Sequence, residues 1–138
     1  MSAFPKRLRK LPLKAQADLH QNGRVVFHYP YKVYCLIHPT PAGSRSEYKI
    51  IVSVPKRNFK RAVDRNRIKR QMREAFRLNS SILVQELITR NMHIHILCLY
   101  LPNEHTTGAI LSHKMESLLA RLGRLVAQVD PVSAVGID

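Results

Sequence analysis

Between residues 56 and 79 the chain reads KRNFKRAVDRNRIKRQMREAFRLN, ten lysines and arginines with only Asp64 and Glu74 to answer them. The chemistry open to such a stretch is the holding of a polyanion. A helix face that merely meets water interleaves Glu with Lys, so that pairs form one turn apart. Left unbalanced, these cations repel one another until phosphates supply the missing charge.

A second group lies in residues 28–34, where His28, Tyr29, Tyr31, Lys32 and Tyr34 combine stacking faces with positive charge. That mixture holds unpaired nucleotides, although aromatic residues on a strand serve equally well as core. Strand alternation puts Tyr31 and Val33 on one face and Lys32 and Tyr34 on the other. The second face is the better nucleic-acid candidate. His93 and His95 also share a strand face, but no carboxylate or cysteine near them in sequence completes a metal ligand set. The chain has no Gly-rich phosphate loop, no nucleophile-elbow serine and no spaced pair of carboxylates. Acids are too few for acid–base or two-metal chemistry by the protein itself, so no catalytic or metal-binding residue is nominated.

Placing these groups falls to the surrounding elements. At about 100° per residue, Ile68, Met72 and Ala75 gather on one side of a helix with Phe76 at the margin. Asn66, Arg70, Arg73 and Arg77 line the opposite side, flanked by Lys69. Asp64 stands as the expected N-cap, an acid that accepts from free N–H groups and complements the helix dipole.

Upstream, residues 1–13 are basic and read as an extended arm suited to a phosphate backbone. Residues 14–22 are predicted as a short helix stopped by Gly23. Residues 31–38 and 47–54 read as strands, and their short connection through Pro39, Pro41 and Gly43 favours an antiparallel pair. Residues 80–90 suit a short helix or helical loop. Residues 92–101, MHIHILCLYL, are apolar almost throughout and belong in the middle of the sheet. Residues 107–129 carry Leu111, Met115, Leu118, Leu122, Leu125 and Val129 as a packing stripe, with Lys114, Arg121 and Arg124 pointing elsewhere. Residues 130–138 read as a loose tail. The expected fold is an α/β (α+β) two-layer sandwich in the order α-β-β-α-β-α, with the strand order left open and a single RNA-binding domain over residues 14–129.

Composition agrees. A length of 138 residues, 45% of them hydrophobic, permits one domain with its own core, and a net charge of +14 makes it a basic globule rather than a disordered tail. No stretch approaches the roughly 18–20 apolar residues of a membrane span. The start, MSAFPKRLRKLPLK, places charge where a secretory signal carries an apolar run, so the cytoplasm is the expected compartment. Cys35 and Cys98 sit in apolar surroundings and are expected to be buried free thiols.

The stretch SVPKRNFKRAVDRNRIKRQMREAFRLN resembles the signature of the protein subunit of bacterial ribonuclease P: Arg65, Asn66 and Arg67, then Lys69, Arg70, Arg73 and Glu74, behind a strand ending in Ser-x-Pro-Lys. The likeness spans roughly residues 7 to 126. It implies a ribosomal protein S5 domain 2-like fold in which the strand before the basic helix, the helix and the last strand make a left-handed βαβ crossover, against the general right-handed preference. It also implies a role as the non-catalytic protein subunit of an RNA-based endonuclease that removes the 5′ leader of precursor tRNA.

On that resemblance the partners are a catalytic RNA and precursor tRNA, with one protein per RNA, no DNA and no membrane. Mg2+ is expected on the RNA, with no cofactor on the protein. Lys56, Arg57, Lys60, Arg61, Arg65, Asn66, Arg67, Lys69, Arg70 and Arg73 become the RNA-facing set, and His20, Tyr31, Lys32 and Tyr34 the candidates for a cleft that guides the single-stranded leader. His20 stands three residues before Gly23, where the family usually carries an aromatic, often Phe. A ribosomal or other structural RNA-binding protein is the alternative. A DNA-reading helix suits the arginines but lacks a zipper or helix-turn-helix partner.

Overall fold

The computed structural model describes residues 6–129. A 3₁₀ turn at Lys6–Arg9 leads to α1 (Leu13–Asn22), then β1 (Arg24–His28), β2 (Tyr31–Pro39), β3 (Tyr48–Ser53), α2 (Ala62–Asn79), α3 (Ser81–Arg90), β4 (Met92–Tyr100) and α4 (Gly108–Gln128). The strands form one sheet in the order β1-β2-β4-β3, antiparallel except for the parallel pair β3–β4. The arm and tail expected from the sequence fall partly and wholly outside the described residues.

One face of the sheet carries the main core. Tyr31, Val33 and Cys35 of β2, Tyr48, Ile50 and Val52 of β3, and Ile94, Ile96 and Cys98 of β4 pack with Ile68, Met72 and Phe76 of α2, Leu83 and Leu87 of α3, and the α4 stripe. Within that stripe Leu111, Met115, Leu118 and Leu122 are buried, while Leu125 and Val129 are partly so. Among the described residues the other face is covered by α1 and Leu11 before it, through a smaller cluster of Leu11, Leu19 and Leu97 joined by Ala15, Tyr34, Leu36, Ile51 and Leu99. Both cysteines are free and buried, and burial pushes the Cys35 thiol up to about 11.

Three expectations change. The order contains an extra strand, β1, at the edge of the sheet; its Val26 is buried in the main core, while Val25 and Phe27 are exposed on the opposite face. Strands β2 and β3 are not paired, because β4 lies between them. The reason is visible in β4 itself, which is buried on both faces and therefore takes an interior place. That insertion leaves β3 at the edge, joined to β4 by the crossover through α2 and α3. The N-cap of α2 is Arg61; Asp64 lies one turn inside, where it accepts from Arg61 Nε at 3.0 Å. Gly23 does end α1, but in extended backbone. Its requirement for glycine is one of space: a Cβ there would stand 2.4 Å from the Leu19 carbonyl oxygen.

Candidate nucleic-acid interface

Helix α2 forms because its apolar residues recur one turn apart, and it buries Ile68, Met72, Ala75 and Phe76. Its C-terminal end is tied to α4 by Asn79, whose amide donates to Ala75 O at 2.8 Å and Ser112 O at 3.2 Å. These contacts fix which side faces outward. Arg67 and Arg70 are exposed with Asn66, and Lys69 and Arg73 are half-buried on the flank. Arg73 stands near Arg9 of the 3₁₀ turn; burial first and that like charge second lower its hold on its proton. The turn itself packs against β3, so this basic surface reaches the β3 edge of the sheet.

The loop before α2 is positioned from inside. Phe59 is buried, its ring 6.1 Å from that of Tyr100, and Asn58 donates to Leu101 O at 3.2 Å. Lys56, Arg57 and Lys60 are left exposed around these anchors. Two members of the predicted set are engaged within the protein. Arg65 folds back to donate from Nη1 to the carbonyls of Phe59 at 2.8 Å and Lys60 at 2.9 Å, and so helps to hold the loop. Arg61 pairs with Asp64, and that hydrogen bond holds the Asp64 carboxyl below its usual range. Arg77 pairs with Glu74 at 2.7 Å. Among the described residues, no salt bridge involves Lys56, Arg57, Lys60, Arg67, Lys69, Arg70 or Arg73.

The second group assembles on the thinly covered face. His20 of α1 and Tyr34 of β2 hold their rings 4.8 Å apart at 37°. Lys32 Nζ lies 5.2 Å from the ring centroids of both Tyr34 and Phe27, within cation–π range. His20, Lys32 and Tyr34 are thus brought together. Tyr31 is not: it is 0% exposed on the opposite face and donates its hydroxyl to Leu111 O at 2.9 Å. Burial raises its phenol well above the ordinary range, and it is withdrawn from the cleft candidates.

Phe27, 61% exposed, takes its place and was missed with β1. The alternation in Arg24–His28 directly after Gly23 was the available signal. His28 points to the helix side, and Tyr29 is exposed in the turn.

His93 and His95 do share the thinly covered face, joined by His38 at ring separations of 5.3 and 4.8 Å. Burial first, then His38 and His93, lower His95 to about 4. Among the described residues no group of three or more His, Cys, Asp or Glu could hold a metal ion, and no helix is long and apolar enough to cross a membrane. What remains is a surface of two kinds, cations outside the salt bridges of the described residues, whose chemistry suits phosphates, and a group of rings with one ammonium, whose chemistry suits unstacked bases.

Comparison with known proteins points the same way. A family model described as Ribonuclease P matches residues 7–123. The ribonuclease P protein component of Porphyromonas gingivalis strain ATCC 33277 is 33% identical over 101 residues, 72% of each chain. That of Chlorobaculum tepidum is 40% identical over 67 residues, 49% of this chain and 44% of the other. Among solved structures, the Staphylococcus aureus RNase P protein superposes with a TM-score of 0.63 at 21% identity, covering 83% of this chain and 94% of that one. The Thermotoga maritima protein gives 0.63 at 18% identity, covering 82% and 96%. At those identities the structures support the fold alone.

Proposed function

The chain belongs to the ribonuclease P protein family, and from that premise we propose that it docks through α2 and the preceding loop on the catalytic RNA and guides the single-stranded 5′ leader of precursor tRNA across the face bearing His20, Phe27, Lys32 and Tyr34. The RNA cuts, and Mg2+ sits on the RNA. The protein supplies charge and stacking, one copy per RNA, in the cytoplasm.

The observation that carries this reading is the division of labour between the two surfaces. Arg67 and Arg70 are exposed and, among the described residues, have no salt bridge of their own, as phosphate contacts require. Tyr34 is flanked by His20 and Lys32 on a face that, among the described residues, α1 and Leu11 cover in part, as contacts to unpaired bases require. A structural RNA-binding protein would leave that second arrangement without a task.

The test mixes the protein with the catalytic RNA of its source and follows 5′ processing of precursor tRNA at low magnesium. Cleavage by the mixture but not by protein alone is expected. Cleavage that is no better with protein than without it would refute the assignment.

A further inference from the structure

Between α2 and the first turns of α4 lies a pocket of about 230 Å3, walled by Gln71, Ala75 and Leu78 of α2 and by Gly108 and Ser112 of α4. Its lining is mostly apolar, and Leu78 is exposed there although nothing polar covers it. Gly108 keeps the space open, since a Cβ at that position would meet nothing within 4 Å. Ser112 is already engaged: its carbonyl and its Oγ both accept from Asn79 Nδ2, at 3.2 and 3.1 Å.

Gln71 is the exception on this wall. Its Oε1 is shut from water and, among the described residues, has no hydrogen-bond partner. An amide oxygen left in that state costs stability until a donor reaches it. The torsion that carries the amide is soft, so the group can turn to present its oxygen and its N–H side by side to an occupant. Arg70 also borders the pocket, exposed and outside the salt bridges of the described residues. Glu74 stands beside it, but its carboxylate is held by Arg77 at 2.7 Å.

An occupant that satisfies all of this is flat, apolar on its faces, polar along one edge and tethered to an anion. An unpaired nucleobase on its phosphate has those features. Adenine fits this wall best. Its amino N–H and neighbouring ring nitrogen match the acceptor and donor of a glutamine amide, and it lacks the carbonyl oxygen that the other bases would bury here without a donor.

We infer that the α2–α4 pocket takes one unpaired adenine of the catalytic RNA, its edge read by the Gln71 amide, its ring against Leu78 and its phosphate beside Arg70. The inference rests on the docking of α2 proposed above. The catalytic RNA is the source because Arg70 belongs to the helix assigned to it, whereas His20 and Tyr34, assigned to the leader, lie on the opposite face of the sheet. The tRNA stem that adjoins the leader keeps its bases paired.

The full chain carrying Gln71→Leu is compared with the parent for binding to the catalytic RNA across a salt series. The substitution keeps the bulk and removes the orphaned oxygen, so the unfolding midpoint should hold or rise. Affinity is expected to fall about tenfold, with the log–log salt slope unchanged, because a base edge releases no counterions. Unchanged affinity, or a loss that comes with a shallower slope, overturns the inference. So does a loss confined to the binding of mature tRNA by the assembled holoenzyme. Arg67→Gln with Arg70→Gln separates this failure from that of the α2 reading: if it still lowers the slope, only the pocket falls, and if it does not, the docking of α2 falls as well. Should Gln71→Leu not fold, adenosine and uridine are titrated into the nitrogen-labelled parent chain. Adenosine should shift the Gly108 and Ser112 amide signals and uridine should not; equal shifts, or none, overturn the inference.

Discussion

The imidazole of His20 lies against the phenol ring of Tyr34, 4.8 Å between centroids, joining α1 to β2 across the thinly covered side of the sheet. Lys32 completes the group from the neighbouring position on the same strand face. Stacking on a single base contributes about 1–3 kcal/mol. Tyr34→Ala is therefore expected to weaken precursor tRNA binding by roughly tenfold or more while changing mature tRNA binding little. His20→Phe, with the larger ring, should hold or improve precursor affinity. Equal losses for precursor and mature tRNA on Tyr34→Ala would remove the leader from this face.

Within the Arg65-Asn66-Arg67 triplet the two arginines have different tasks. Arg65→Ala deletes two charge-assisted hydrogen bonds to the loop, a loss of about 1–2 kcal/mol allowing for partial exposure, read as a lowered unfolding midpoint. Arg67→Gln with Arg70→Gln should leave that midpoint in place and reduce the salt slope of RNA binding by roughly 1.4 to 1.8. The reverse outcome, a stable Arg65 variant beside an unfolded Arg67–Arg70 variant, contradicts the geometry.

Gly23→Ala sets a small gain against a larger loss. A more restricted unfolded chain favours alanine by about 0.4–1 kcal/mol. The new methyl would meet Leu19 O, which also accepts the Gly23 N–H at 3.0 Å, so the end of α1 must open at about 1–3 kcal/mol. Net destabilisation by denaturant titration is expected. Gly108→Ala, facing open space, is the control and should be neutral or slightly stabilising.

Stability should fall on mild acidification. His95 has its folded pKa lowered from 6.5 to about 4, by burial and then by His38, His93 and Lys49, with Asp18 opposing. His93 shifts in the same direction. Between those values the unfolded chain binds more protons, so stability rises with pH and is lost as pH drops from about 6.5 towards 4. His95→Gln should flatten that slope in urea titrations at stepped pH. An identical slope in the variant would show that His95 is not its source.

Much of this was legible in the linear chain because some signals are local. The repeat that buries Ile68, Met72 and Phe76 also aims Arg70 outward, whatever α2 packs against. The nearly continuous apolar run of β4 required cover on both faces, and its interior place follows. Other features depended on residues distant in sequence. The short link between β2 and β3 suggested a hairpin, but β4 competes for both partners and wins through its two apolar faces. Tyr31 and Tyr34 look alike in sequence. Whether a ring meets solvent or the Leu111 carbonyl depends on which helix covers its face of the sheet. Arg65 sits among cations of the same kind, and only the folded loop brings the Phe59 and Lys60 carbonyls to it. Periodicity is written along one segment, whereas pairing and orientation arise from competition among segments and are decided when the chain closes on itself.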